Sequence, residues 1–98
     1  MDVEYLDNKY DRLETDPSYT AGFSKAVVVA FRKRIQAIRA ANDERVFYAM
    51  KSLHFEKLQG DRSHQRSMRL NKKWRLILEL RKDDEGTKVV IVEINDYH

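Results

Sequence analysis

The chain reads as an α+β domain, because the period of its apolar residues changes part-way along. Three observations predict two N-terminal helices packed on one face of a small antiparallel sheet. Apolar residues recur at helical spacing from about residue 23 to 53, and the period drops to two after Gly60-Asp61-Arg62. An Asp83-Asp84-Glu85-Gly86 loop then joins two β-prone segments. Helices followed by hairpin-linked strands imply helices covering one sheet face. A chain of 98 residues has room for one domain, residues 1–98, and one modest core.

Val3 to Leu6 suits a short edge strand, followed by an irregular or helical turn around Tyr10 to Glu14. Asp16-Pro17-Ser18 breaks the pattern. From Phe23 or Ser24 to Ala41, Val27, Phe31, Ile35 and Ile38 fall on one helical face, with Arg32, Lys33, Gln36 and Arg39 elsewhere. Asn42 offers an N-cap for a second helix striped by Val46, Phe47, Met50 and Leu53. So short a join predicts an antiparallel helical hairpin. Arg66 to Leu70 reads as a strand, turning through Asn71-Lys72-Lys73 into a second. There Trp74, Leu76, Leu78 and Leu80 alternate with Arg75, Ile77, Glu79 and Arg81. Gly86 can supply a positive φ in the next hairpin. Val89 to Ile94, almost wholly β-branched, reads as a central strand buried on both faces.

The net charge of +3 conceals a strong pattern. Residues 1–20 carry six acids against two bases, residues 83–98 five acids against one, and residues 21–82 sixteen bases against five acids. A basic middle suits a polyanion, because Lys and Arg clusters release counterions from phosphates; a solvated charged surface is the competing reading. There is no cysteine, which excludes disulfides and thiolate metal sites, and His54, His64 and His98 lack metal-ligand spacing. No metal or other cofactor is expected. The longest apolar run, residues 26–31, is too short to span a bilayer, and no signal-peptide pattern opens the chain. The expectation is a cytoplasmic protein without a membrane partner.

The chain closes on Asn95-Asp96-Tyr97-His98, a carboxylate, a phenol and an imidazole where domains ordinarily fray. Alternation sets Arg75 on the face opposite Trp74, Leu76 and Leu78, while Asp96 and His98 share a parity. An extended last strand is thus expected to bring a fixed cation beside a carboxylate and an imidazole. Such a set suits RNA cleavage without metal: a base takes the 2′-OH proton, an arginine stabilises the phosphorane, and an acid protonates the leaving 5′-oxygen. Histidine can serve either proton step, and Tyr97 can stack on a base or bond a phosphate. Alternatively, Asp96 caps a turn or pairs with Arg75, and His98 is a solvated end. Trp74 reads as core, His54 as a boundary histidine, and His64 carries no specific signal.

Leu58-x-Gly60-Asp61-Arg62, then Ser67-x-Arg69-x-Asn71-x-x-Trp74-Arg75, then Asp96-Tyr97-His98, resembles the HigB toxins of bacterial type II toxin–antitoxin operons, within the RelE/ParE superfamily. The likeness covers about residues 24–98. It implies a RelE-like fold and a toxin that cleaves mRNA in the ribosomal A site, without metal, to inhibit translation. By the same resemblance Arg75 stabilises the scissile phosphate, Asp96 and His98 transfer protons, and Tyr97 positions the nucleotide. Some members carry a catalytic histidine two residues before the motif's leucine; here Glu56 stands there, so that role is either absent or taken by its carboxylate. A lysine common before the glycine is Gln59, with Lys57 two residues back. Lys57, Arg62, Arg66, Arg69, Lys72 and Lys73 are the candidate RNA-binding bases, and Arg34 and Arg39 are further candidates for rRNA. The implied partners are the ribosome, mRNA and a HigA-type helix-turn-helix antitoxin, with operator DNA reached only through the antitoxin. Two alternatives use the same fold: a ParE-like gyrase inhibitor and a non-catalytic RNA-binding module.

Overall fold

The computed structural model describes residues 1–96. Strand β1 (Asp2–Tyr5) is followed by helices α1 (Asn8–Thr15), α2 (Lys25–Ala40) and α3 (Arg45–Ala49). Strands β2 (Glu56–Lys57), β3 (Gln65–Arg69), β4 (Trp74–Asp83) and β5 (Gly86–Asp96) complete a five-stranded sheet in the order β1-β5-β4-β3-β2. The α+β reading therefore holds, with three helices rather than two.

Helix α2 forms where its period demands. Ser24 caps it, its Oγ accepting from the Val27 N–H at 3.3 Å, and Val27, Val28, Phe31, Ile35 and Ile38 are buried. They meet Leu76, Leu78, Val89, Ile91 and Ile94 from the sheet. Each such side chain contributes about 1.5–3 kcal/mol on full burial. The turn foreseen near Tyr10 is the full helix α1, started by Asp7, whose carboxylate accepts from Lys9 N–H at 2.9 Å. Tyr10 and Leu13, three residues apart, enter the core.

Two expectations fail. The second helix is only five residues long, without a side-chain cap, and gives way to a 3-10 turn at Lys51–Leu53. Asn42 does not start it. Asp43 instead folds back on Arg45, its carboxylate taking both the backbone N–H and the guanidinium. Only Phe47 and Leu53 of the foreseen stripe reach the core, while Val46 and Met50 remain exposed. No extended helical hairpin results. The sheet is also not purely antiparallel, since β1 runs parallel to β5, pairing Val3 with Val89 and Tyr5 with Ile91. The helices and strands β2 to β4 all lie between these two strands in sequence, a connection long enough for a parallel neighbour.

Strand β5 is interior, and Val89, Val90 and Ile91 are buried on its two faces. One irregularity interrupts its pairing with β4. Leu78 pairs with Ile91, but Ile77 pairs with Glu93, so Val92 is an extra residue on β5. Such a bulge reverses the facing of everything beyond it relative to regular pairing.

Away from the sheet's open face, Glu14 links three elements. It accepts the Tyr5 hydroxyl at 2.7 Å and a two-pronged contact from Arg39 at 2.8 Å. The Arg39 hydrogen bonds hold the Glu14 carboxyl below its ordinary range against the opposing effect of burial, and Tyr5 adds to them. Burial, reinforced by Glu14, pushes the Tyr5 hydroxyl up. A depressed folded-state value means that Glu14 stabilises the fold above its unfolded pKa of about 4.3, and that this is lost as pH falls through the folded value. Urea unfolding of Glu14→Gln between about pH 3 and pH 6 should therefore show a shallower acid decline than the wild type.

Candidate active site

The open face of the sheet is built from alternate positions of each strand. Cross-strand partners face the same way, so one row holds Glu56, Ser67, Ile77 and Glu93, and the next holds Arg69, Arg75 and Asn95. Ser67 and Ile77 are fully buried in this face, under polar side chains.

Arg75 is the centre of the cluster. Its side chain is only 16% exposed. Nε donates to Ser67 Oγ at 3.0 Å and Nη2 to the His54 carbonyl at 2.8 Å. Glu56 Oε1 lies 3.3 Å from Nη2. Among the described residues Nη1 has no partner, which leaves donors available to an incoming anion. The guanidinium is thus fixed by neutral acceptors and accompanied by one exposed carboxylate. That combination can hold a phosphate and offer it a base.

His54 was read as a boundary histidine and is instead part of this cluster. It ends the 3-10 turn with left-handed backbone, φ 46°, an uncommon conformation for a residue with a side chain. That turn aims its carbonyl at Arg75 while its Nε2 lies 3.3 Å from Arg69 Nη1. A guanidinium only donates, so in this contact Nε2 is the acceptor. No local pattern of residues announces this backbone twist, and the histidine itself was the only signal.

The motif residues have structural explanations. Gly60 takes φ 68° at the start of a 3-10 turn, Gly60–Arg62. The turn delivers Arg62 to Gln65 Oε1 at 2.8 Å and within 3.6 Å of Glu93 Oε1. Asn71 Oδ1 accepts from the Lys73 and Trp74 N–H groups at 2.9 and 2.8 Å, closing the β3–β4 turn. Trp74 packs edge-on against Phe23 at 5.7 Å beside the core, as expected of a core residue.

The structure divides the remaining candidates. Arg62 and Arg69 lie on the open face with Arg75 and Glu56. Lys57 pairs with Arg66, and Arg66 with the core residue Leu78, so both belong to the helix side. Arg66 donates to the carbonyls of Ser63 and Gln65. Lys72 and Lys73 occupy the β3–β4 turn. Arg34 is engaged, its Nε donating to the Arg69 carbonyl at 3.0 Å, as is Arg39 at Glu14.

Asp96 is not beside Arg75. It pairs with Trp74 across the sheet and so faces the helix side, with Lys73 Nζ at 3.2 Å from its Oδ2. The residue facing Arg75 is Asn95. Regular pairing without the bulge would have put Asp96 on Arg75's face, which is why simple alternation misplaced it. Tyr97 and His98 lie outside the described residues.

No protein-family model matches the chain, and no curated protein matches it. Solved structures do. A YoeB/ParE toxin from Agrobacterium tumefaciens superposes with a TM-score of 0.65 at 13% identity over 100% of both chains. The chain has the fold of the RelE/ParE toxins. A chain of the YoeB–YefM complex from Staphylococcus aureus matches at TM-score 0.60 and 18% identity, covering 100% of this chain and 97% of that one. The RelBE2 toxin–antitoxin complex from Mycobacterium tuberculosis gives 0.52 and 17% over 98% and 96%. Identities this low place the RelE/ParE likeness in the backbone. Among the described residues of this RelE/ParE fold no helix is long and apolar enough to cross a membrane.

Ser67 supports Arg75 from a fully buried position, so Ser67→Ala strands the Nε–H and should cost about 1–3 kcal/mol of stability. In urea unfolding, the Ser67→Ala, Arg75→Ala pair should be less destabilised than the sum of the single variants, because one contact is lost twice in that sum.

Proposed function

We propose that this protein is the toxin of a type II toxin–antitoxin pair, of the HigB kind, and that it is a ribosome-dependent endoribonuclease cutting mRNA in the A site. The observation that carries the reading is the Arg75–Glu56 pair, 3.3 Å apart on the open sheet face, with Arg75 held by Ser67 and the His54 carbonyl. A cation fixed beside an exposed carboxylate is what transesterification of RNA requires.

In this mechanism a phosphate of the message meets the outer donors of Arg75. Glu56 accepts the proton of the adjacent 2′-hydroxyl, and the 2′-oxygen attacks phosphorus while the bond to the 5′-oxygen breaks. Arg75 stabilises the added charge in the transition state. His98 donates a proton to the departing 5′-oxygen, and Tyr97 positions the nucleotide. The products are a 2′,3′-cyclic phosphate and a 5′-hydroxyl, and no step calls for a metal. Asp96, on the helix side, acts by anchoring the end of β5 through Lys73, from which Tyr97 and His98 continue.

The basic belt gives this small enzyme its dependence on the ribosome. Arg62, Arg69, Lys72 and Lys73, with Lys57 and Arg66 toward the sheet's other side, suit rRNA and message phosphates. A message held in line by the ribosome supplies orientation that so sparse a site cannot supply alone. A HigA-type antitoxin completes the pair; two of the structures sharing this fold are toxin–antitoxin complexes.

Primer extension on programmed ribosomes, beside naked mRNA, tests this. Cuts inside codons should appear on ribosomes alone and weaken as salt rises. Arg75→Ala, Glu56→Gln and His98→Ala should each slow cleavage by about 10²-fold or more. Toxicity that survives all three substitutions, without cut ends, would move the reading to gyrase inhibition on the same fold.

A further inference from the structure

We propose that Glu93 and Asn95 form a nucleobase subsite beside Arg75, and that it takes the Watson–Crick edge of guanine; the proposal rests on the ribonuclease reading above. Both residues reach the open face only through the β5 bulge. Asn95 is the cross-strand partner of Arg75, and Glu93 lies two residues before it on the same face. Partnered residues of an antiparallel pair have Cα atoms about 5 Å apart. A nucleotide whose phosphate is held by Arg75 therefore has its base within reach of Asn95.

The polar atoms of the two side chains define what they can bind. Asn95 Nδ2 donates to Glu93 Oε1 at 2.6 Å, which orients the amide, since its oxygen against the carboxylate would repel. Arg62 Nη2 lies 3.6 Å from the same Oε1 and forms an ion pair with it. Among the described residues, Glu93 Oε2 and Asn95 Oδ1 have no hydrogen-bond partner. The pair thus leaves two acceptors available, one on each side chain. Adenine and cytosine each offer one amino donor beside a ring-nitrogen acceptor, and uracil offers one N–H between two carbonyls. Guanine alone places two donors side by side, N1–H and the 2-amino group.

The geometry also explains a carboxylate that the chemistry of cleavage does not use. An acid close to a phosphate site opposes RNA binding unless it gains a compensating contact. Paired donors from a base supply one, and they make the cost of a wrong base larger, because Glu93 Oε2 is then left facing the message without a donor.

The test uses ribosomes programmed with messages that differ only at the nucleotides flanking the cut. The readout is the ratio of cleavage rates between messages, which does not depend on the overall rate of a variant. Wild-type protein should favour guanine at one flanking position by roughly tenfold or more, the scale of a good paired contact to a base edge. Glu93→Gln and Asn95→Ala should each collapse that ratio towards one. Glu93→Gln is nearly isosteric, and thermal melting confirms that it folds. Equal cleavage of all four messages by the wild type, or a guanine preference that survives both substitutions, overturns the subsite alone. Absence of cleavage by the wild type on every message overturns the ribonuclease reading and the subsite with it.

Discussion

One extra residue in β5 decides which side chains meet Arg75. With Val92 bulged, Glu93 and Asn95 turn to the open face, and Ile94 and Asp96 turn to the helices. Ile94 then joins the core with Leu76 and Met68, so burial of an isoleucine locks the register. A one-residue slip would expose Ile94 and bury Asn95, which makes the alternative strongly unfavourable. The hydrophobic core and the polar site are thus coupled by a single irregularity. Its placement next to the functional face is consistent with the way bulges re-aim side chains at the rims of sites.

The second dependence runs through backbone rather than side chain. The Arg75 guanidinium is fixed partly by the His54 carbonyl, which points inward because the chain takes left-handed dihedrals there. Leu53 and Phe55 on either side of His54 are buried, at 0% and 8% exposure, so packing holds the strained residue in place. The short α3 and the 3-10 turn after it are therefore part of the site's construction. A regular second helix running on past residue 53 would carry His54 and Glu56 away from β3 and β4.

This explains what was legible in the sequence. The period of α2, the alternation along β4 and the β-branched run of β5 are local patterns enforced by burial, and all three appear as read. Arg75 on the open face follows from alternation alone, and Glu56 came from its position before the Leu58 motif. The parallel placement of β1 was invisible, because four residues contain no information about which strand they join. The bulge was invisible too: Val90, Ile91 and Val92 are interchangeable in type, so nothing local marks the residue that is skipped. Asp96 was misplaced for that reason, and Asn95 and Glu93 were overlooked for the same one.

The polar layer on the open face also bears on which kind of partner the proposed function calls for. Protein–protein docking draws on apolar surface at the centre of the contact. Here Ile77 and Val90 are buried at 0% and 1% exposure, beneath a face carrying Arg62, Gln65, Arg69, Arg75, Glu79 and Glu93. Burial pushes the Glu79 carboxyl up, but hydrogen bonds from Gln65 and Arg81 outweigh it and keep the group below its ordinary range. The layer is thus charged and partly paired within itself, with Arg75 Nη1, Glu93 Oε2 and Asn95 Oδ1 left open among the described residues, and its apolar atoms are out of reach. Such a face exchanges its partners most readily for another polar, hydrogen-bonding polymer. A nucleic acid, with phosphates for the arginines and base edges for the carboxylate and amide, meets that requirement more fully than an apolar protein surface does.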